Sequence, residues 1–228
     1  MRIRPMHPWQ LSIQEARSIQ EQLGKRVVSE DQFGSVRYVA GTDVAFDKAA
    51  NLAFAAVVIL DLSTLNMVEQ ACASSTISFP YVPGYLSFRE VPVICQALEK
   101  LCRTPDLILC DGQGYAHPRR FGLACHLGVL TDTPCVGVAK SRLLGTHRRV
   151  PNAKGHWVSL MHKDEQIGAV LRSRKNVKPI FISLGHRISL VSAIDYVKRC
   201  TTRYRLPETT RSADRLAGDY GQPTTKVQ

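Results

Sequence analysis

Two short, almost wholly apolar runs, Leu107–Cys110 and Pro134–Ala139, flank a helix-like stretch from about Pro118 to Leu130. Runs of that length read as buried strands. A strand, a helix and a second strand in such close succession form a parallel crossover of nearly invariant hand. Both strands then end at one edge of a sheet, where open α/β folds bind their ligands. The residues that arrive there are Asp111 and Lys140. After Asp111 the chain continues Gly112-Gln113-Gly114-Tyr115-Ala116-His117-Pro118-Arg119-Arg120. This is either a plain Asp turn or a carboxylate fixed by a stiff strand, beside a glycine-rich loop that a ligand can approach.

Upstream, Val36–Phe46, Leu52–Leu60 and Met67–Ser75 are three β-type runs joined by short turn-like connections, which predicts an antiparallel meander. Asp43 interrupts the apolar middle of the first. An unpaired carboxylate there is costly, so it needs a partner or a metal. Residues 77–86 carry two prolines and a glycine among Phe79, Tyr81, Val82 and Tyr85. Such a loop either packs its aromatics on the core, the commoner case, or presents one to a ligand. Ser87 and Glu90 match a capping box opening a helix to about Arg103, with Pro92 tolerated in the first turn. Glu90 is then a cap, or a third carboxylate near Asp43 and Asp111.

The remaining elements are a helix from Ser12 to Leu23, a hairpin of Trp157–Met161 with Gln166–Leu171, a short strand at Phe181-Ile182 and a helix from Ser189 to Cys200. From Tyr204 onward the chain is polar, and residues 219–228 read as a frayed tail. Residues 1–228 read as a single domain.

A net charge of +11 and a pI near 9.6 point to a polyanionic partner, most simply nucleic acid. Lys140, Arg142, Arg148, Arg149 and Lys154 form one basic cluster, and Arg172, Arg174, Lys175 and Lys178 a second. The seven cysteines are irregularly spaced, with no CxxC pair, as reduced core thiols of a cytoplasmic protein would be. Arg2, Arg4 and Pro5 precede a polar helix, so the N-terminus reads as lacking a leader's apolar region, and no apolar run approaches membrane length. Nucleotide-loop, HExxH and GxSxG motifs are also absent, which removes support for a phosphate-loop motor, a zincin or a serine hydrolase.

Asp43, Glu90 and Asp111 together are a hard-oxygen set suited to Mg²⁺, for which Mn²⁺ can substitute. Acids for a metal within a basic chain are the charge balance of a metal-dependent phosphodiesterase. His117 and Lys140 would position water or neutralise developing charge. A meander, a helix and a β-α-β unit, with acids on the first and fourth strands, is the layout of a ribonuclease H-like mixed sheet with flanking helices.

Four motifs in this order resemble those of the endonuclease V family. They are Gly41-Thr42-Asp43-Val44, Pro80-Tyr81-Val82-Pro83-Gly84-Tyr85-Leu86-Ser87-Phe88-Arg89-Glu90, Asp111-Gly112-Gln113-Gly114-Tyr115-Ala116-His117-Pro118-Arg119 and Gly137-Val138-Ala139-Lys140-Ser141-Arg142-Leu143. Residues 185–189 and 204–211 extend the likeness. The resemblance implies a deoxyinosine-directed DNA repair endonuclease that cuts the second phosphodiester bond 3′ to the lesion, leaving 3′-hydroxyl and 5′-phosphate ends. It implies Asp43, Asp111 and Glu90 as metal-binding acids, and His117 and Lys140 as catalytic-site residues. Tyr81 becomes the wedge that parts the strands, against the plain-packing reading. Gly84, Leu86, Gly112, Gly114, Leu123, Ala139 and Leu143 surround the flipped base. Asp214 matches a position near the metal, or is a helix-surface acid. The implied partner is deoxyinosine-containing DNA, met by a monomer away from membranes. Two alternatives stand beside this reading: an inosine-specific endoribonuclease of the same family, and a non-catalytic nucleic-acid-binding protein of the same fold.

Overall fold

The computed structural model describes residues 1–221. Helix α1 (Ile13–Gly24) begins at Ser12, whose hydroxyl accepts the Glu15 amide while the Glu15 carboxylate takes the Ser12 N–H. Such a reciprocal cap stabilises a helix start by about 1 kcal/mol. Strands β1 (Tyr38–Asp47), β2 (Leu52–Asp61) and β3 (Met67–Thr76) follow as the predicted antiparallel meander. Each hairpin is closed by the acid that ends its first strand. Asp47 accepts the amides of Ala49 and Ala50, and Asp61 those of Ser63 and Thr64.

Helix α2 (Leu86–Glu99), strand β4 (Leu107–Asp111), helix α3 (Leu123–Thr131) and strand β5 (Cys135–Ala139) form the second half of the crossover region, with β1, β4 and β5 mutually parallel. Strands β6 (Trp157–His162) and β7 (Glu165–Leu171) are the expected hairpin, and β8 (Ile180–His186) is longer than the dipeptide predicted. Helix α4 (Leu190–Arg199) starts on Ser189 as its cap, and helix α5 (Glu208–Gly221) ends the described chain. The eight strands lie in the order β3-β2-β1-β4-β5-β8-β7-β6. This is an α/β, ribonuclease H-like mixed sheet with flanking helices.

Strand periodicity sorts the helices between the two faces. Ala40, Ile108 and Cys110 pack towards α2 and α3, while Val39, Leu107 and Leu109 pack towards α4. Along β2, Val57 and Ile59 join the α2 side, whereas Val58 and Leu60 meet Ala213 of α5. Helices α2 and α3 thus cover one face, and α4 and α5 the other.

Four predictions need correction. No capping box opens α2: the helix starts at Leu86, the Ser87 hydroxyl is bonded to His126, and Glu90 is buried. Helix α3 starts at Leu123 rather than Pro118, because Arg120 adopts a left-handed φ of 54° that interrupts any helix. Residues 208–221, read as merely polar, are α5. Of the tail expected over 219–228, residues 219–221 are its last turn, and residues 222–228 lie outside the described chain. All seven cysteines are free thiols. Among the described residues, no helix is long and apolar enough to cross a membrane.

Candidate active site

Asp43 and Asp111 come from neighbouring parallel strands, one step beyond the Thr42–Cys110 pair of the β1–β4 ladder. Asp214 comes from α5 on the opposite face from α2. Gly41 makes that approach possible: a Cβ there would lie 2.2 Å from the Thr209 carbonyl oxygen, so only glycine lets α5 rest on β1. One carboxylate oxygen from each of Asp43, Asp111 and Asp214 lies within 4.8 Å of the others. Lys140, arriving at the end of β5, places Nζ 2.6 Å from Asp111 Oδ2 and 2.9 Å from Asp214 Oδ1.

The electrostatics follow from that crowding. Burial, and then the charge of Asp111, push the Asp43 carboxyl up to about 8, against the partial relief offered by Lys140. Burial opposes the Lys140 charge, but its bonds to Asp111 and Asp214 hold the ammonium above its ordinary range. Glu90 is 8% exposed. Burial first, then Asp43 and Asp111, raise it well above the usual carboxylate range. Glu90 lines the same cleft but lies outside the tight group. The third acid of that group is Asp214, because α5 reaches over the strand ends while Glu90 rides on α2 across the sheet.

The acids open into a cleft of about 430 Å³. Tyr81, Gly84, Leu86, Gly112, Leu123, Ala139 and Leu143 line it, along with Asp43, Glu90, Asp111, His117 and Lys140. Gly114 does not. It is buried behind the cleft, where its amide bonds to Ser183 Oγ and a Cβ would meet the Leu184 carbonyl at 2.1 Å. Tyr81 is 73% exposed, so its ring is not core packing; Phe79 and Tyr85 are the buried aromatics of the loop, against Ala16 and Phe88. Leu86 and Leu143 add exposed apolar surface.

Three side chains converge on one atom of the loop. The Gly84 carbonyl oxygen lies 3.0 Å from Gln20 Nε2, 2.9 Å from His117 Nε2 and 2.8 Å from Arg119 Nη2. Gly84 itself has φ +82°, a conformation natural to glycine. His117 donates to this carbonyl through Nε2, while its Nδ1 accepts the Arg119 amide at 3.2 Å. Burial lowers its pKa to about 4, so it stays neutral. With both nitrogens engaged, His117 ties the Gly84 carbonyl to the Arg119 amide. Gln20, completely buried on α1, and Arg119 were not among the sequence candidates. A polar residue on the inward face of an amphipathic helix was the available signal for Gln20.

The basic clusters divide. Arg142, Arg148, Arg149, Lys154, Arg174, Lys175 and Lys178 are exposed. Arg172 is committed internally, its guanidinium bonded to the carbonyls of Val177, Pro151 and Val150. Arg205, another residue the sequence reading missed, donates to the carbonyls of Lys140 and Pro179. It thereby joins the two clusters at the sheet edge that carries the acids.

The Endonuclease V family model matches residues 21–215. A curated endonuclease V from Rippkaea orientalis is 58% identical over 210 residues, covering 92% of each chain. The crystal structure of endonuclease V from Streptomyces avermitilis superposes with a TM-score of 0.90 at 42% identity, covering 96% of this chain and 97% of that one. A second similar structure, at 31% identity and a TM-score of 0.79, covers 91% of this chain and 97% of the other; it is Ciona intestinalis endonuclease V in complex with DNA containing an inosine followed by a ribo-adenosine.

Proposed function

The chain belongs to the endonuclease V family, and on that premise we propose that it is a DNA repair endonuclease directed at deoxyinosine. It hydrolyses the second phosphodiester bond 3′ to the lesion and leaves 3′-hydroxyl and 5′-phosphate ends. It works as a monomer in the cytoplasm, a location that its free thiols support. The observation that carries the reading is the group formed by Asp43, Asp111 and Asp214 beside Lys140, at the mouth of a cleft large enough for a base. The inosine-containing DNA bound by the Ciona relative supports the choice of lesion.

Three oxygen donors on rigid elements fit a hard divalent cation, Mg²⁺ with Mn²⁺ as substitute. The burden of crowded negative charge, visible in the raised Asp43 carboxyl, fits it too. Asp43, Asp111 and Asp214 would hold the ion, with Glu90 behind them. When bound, the ion supplies hydroxide at neutral pH and stabilises charge on the leaving oxygen.

The chain's own residues do the rest. Lys140 keeps its proton and offsets negative charge at the scissile phosphate. Tyr81, exposed at the cleft rim, enters the duplex and stacks where the lesion base leaves it. A mispaired inosine costs less to extrude than a paired base, so extrusion itself favours the lesion. The exposed arginines and lysines at the sheet edge take the flanking phosphates.

Matched end-labelled duplexes, one with a single deoxyinosine and one with inosine in an RNA strand, test this with Mg²⁺ and with chelator. Metal-dependent nicking of the DNA one nucleotide beyond the lesion is expected. Cleavage of the RNA alone would move the substrate to the endoribonuclease alternative. Tight binding with no cleavage of either would make the protein a binding module.

A further inference from the structure

The outer half of the sheet carries a surface that the lesion cleft does not use. Between Lys140 and Ile194 the only acids are Asp164 and Glu165, at the turn of the β6–β7 hairpin, and Glu165 is spent on Arg120. The strand ladders bring the opposite end of that hairpin to the edge that carries the acid group. Ala139 pairs with Phe181, Phe181 with Val170 and Val170 with Val158. Three antiparallel pairings in succession make β6 antiparallel to β5. Trp157, the residue before Val158, is therefore level with Lys140, the residue after Ala139. Three strand spacings separate them, about 14 Å, or roughly four nucleotides of a stacked strand.

Indoles are mostly buried in folded proteins, yet Trp157 is 41% exposed. It lines a hollow of about 700 Å³ together with Arg148 and Ser159. The wall of this hollow is held at both ends. Thr146 and Met161 exchange two backbone hydrogen bonds, of 2.7 and 2.8 Å, and Val150 is buried. The His147 ring meets Phe181 edge-on, which leaves Arg148 and Arg149 exposed on the outside. Arg148 lines the Trp157 hollow, and Arg149 lines an adjoining one of about 720 Å³ that Lys178 shares. Among the described residues, none of these three cations is in an ion pair.

An exposed ring beside uncompensated guanidinium groups suits a nucleotide, the ring stacking on the base and the cations meeting its phosphates. The base has to be unpaired, because a duplex hides its base faces inside the stack. We propose that Trp157, with Arg148 and Arg149, forms a second nucleic-acid site, separate from the lesion cleft, that takes a segment of single-stranded DNA. The use of this site, to hold an unpaired strand beside the acids, rests on the nuclease reading above; its existence does not.

The test is tryptophan fluorescence of the full chain, titrated with a lesion-free oligothymidylate of about twelve nucleotides. Trp9, packed against the core, is the other indole. The wild-type signal is expected to be quenched on binding, and Trp157→Phe to lose the quenching while binding within about threefold of wild type. Trp157→Ala is expected to weaken oligothymidylate binding about tenfold, the scale of one base stack, and to leave unchanged the affinity for a dumbbell duplex, which has no free base faces. Arg148→Gln and Arg149→Gln should each lower the slope of log affinity against log salt by about 0.7. No quenching in the wild type, quenching that survives Trp157→Phe, equal losses on both DNAs in Trp157→Ala, or unchanged salt slopes would each overturn the site. Quenching as expected in a protein that leaves deoxyinosine DNA uncut would overturn the nuclease reading instead.

Discussion

The acid cluster and the Tyr81 loop share one cleft but are held in different ways. Each acid of the tight group stands on its own regular element, Asp43 on β1, Asp111 on β4 and Asp214 on α5, and Lys140 ties two of them together. The loop has no regular structure from Pro80 to Gly84 and is held by the buried rings of Phe79 and Tyr85 and by bonds from Gln20, His117 and Arg119 to the Gly84 carbonyl oxygen. Groups on strands and helices are placed more rigidly than groups on loops. If chemistry falls to the rigid half of the cleft, as proposed above, and lesion recognition to the loop half, the two should fail separately under mutation.

The largest expected effect is at the acids. Asp111→Ala or Asp43→Ala should reduce single-turnover cleavage by roughly 10³-fold or more while lesion affinity stays within a few-fold, because the hydroxide-generating centre is lost and the cleft is not. Normal turnover in either variant would break the division. Asp214→Asn should be milder, about 10–100-fold in rate, with a higher Mg²⁺ concentration at half-saturation. A metal titration that matches wild type would return Asp214 to the helix surface. On the other side, Tyr81→Ala should weaken lesion binding about tenfold or more, the scale of one lost base stack, with the melting temperature unchanged. A lower melting temperature at constant lesion affinity would restore a packing role.

The smallest effect sharpens the electrostatics. The Asp43 carboxyl titrates near 8 in the fold against an ordinary 3.8, so the folded state binds the proton more tightly. Its contribution to stability is full below about pH 4 and is lost as pH rises towards 8. In chelator, the wild-type melting temperature should therefore fall between pH 5 and pH 8, and Asp43→Asn should be about 1 kcal/mol, or about 2–4 °C, more stable at pH 8. Identical pH dependence in the two proteins would remove the buried-charge argument.

The same split marks what could be read from the residues alone. The sheet was legible because β1, β2, β4 and β5 are written in apolar runs ended by acids, turns or Lys140, and strand ends follow from topology. Helix α5 was not, since its inward positions are Thr209, Thr210, Ala213 and Ala217, which have helical spacing but no apolar bulk. Pro207-Glu208 at its start was the remaining signal. With α5 unseen, nothing in the residue pattern could decide between a place for Asp214 near the metal and one on a helix surface. The Ser87–Glu90 spacing fitted a cap, yet Ser87 had a buried histidine 39 positions away as its partner. Local spacing cannot announce such a contact. His117 was found as a cleft residue, but its bond to a carbonyl 33 positions earlier was not.

His117 decides most directly whether the cleft divides in this way, because it lies between the halves. The measurement is His117→Gln, read as deoxyinosine affinity together with the single-turnover rate at saturating duplex and the pH dependence of that rate. If His117 fastens the loop, affinity falls about tenfold while the saturated rate and its pH profile match wild type. A collapsed rate at unchanged affinity, with one limb of the pH profile missing, would make His117 a proton-transfer residue and contradict the division.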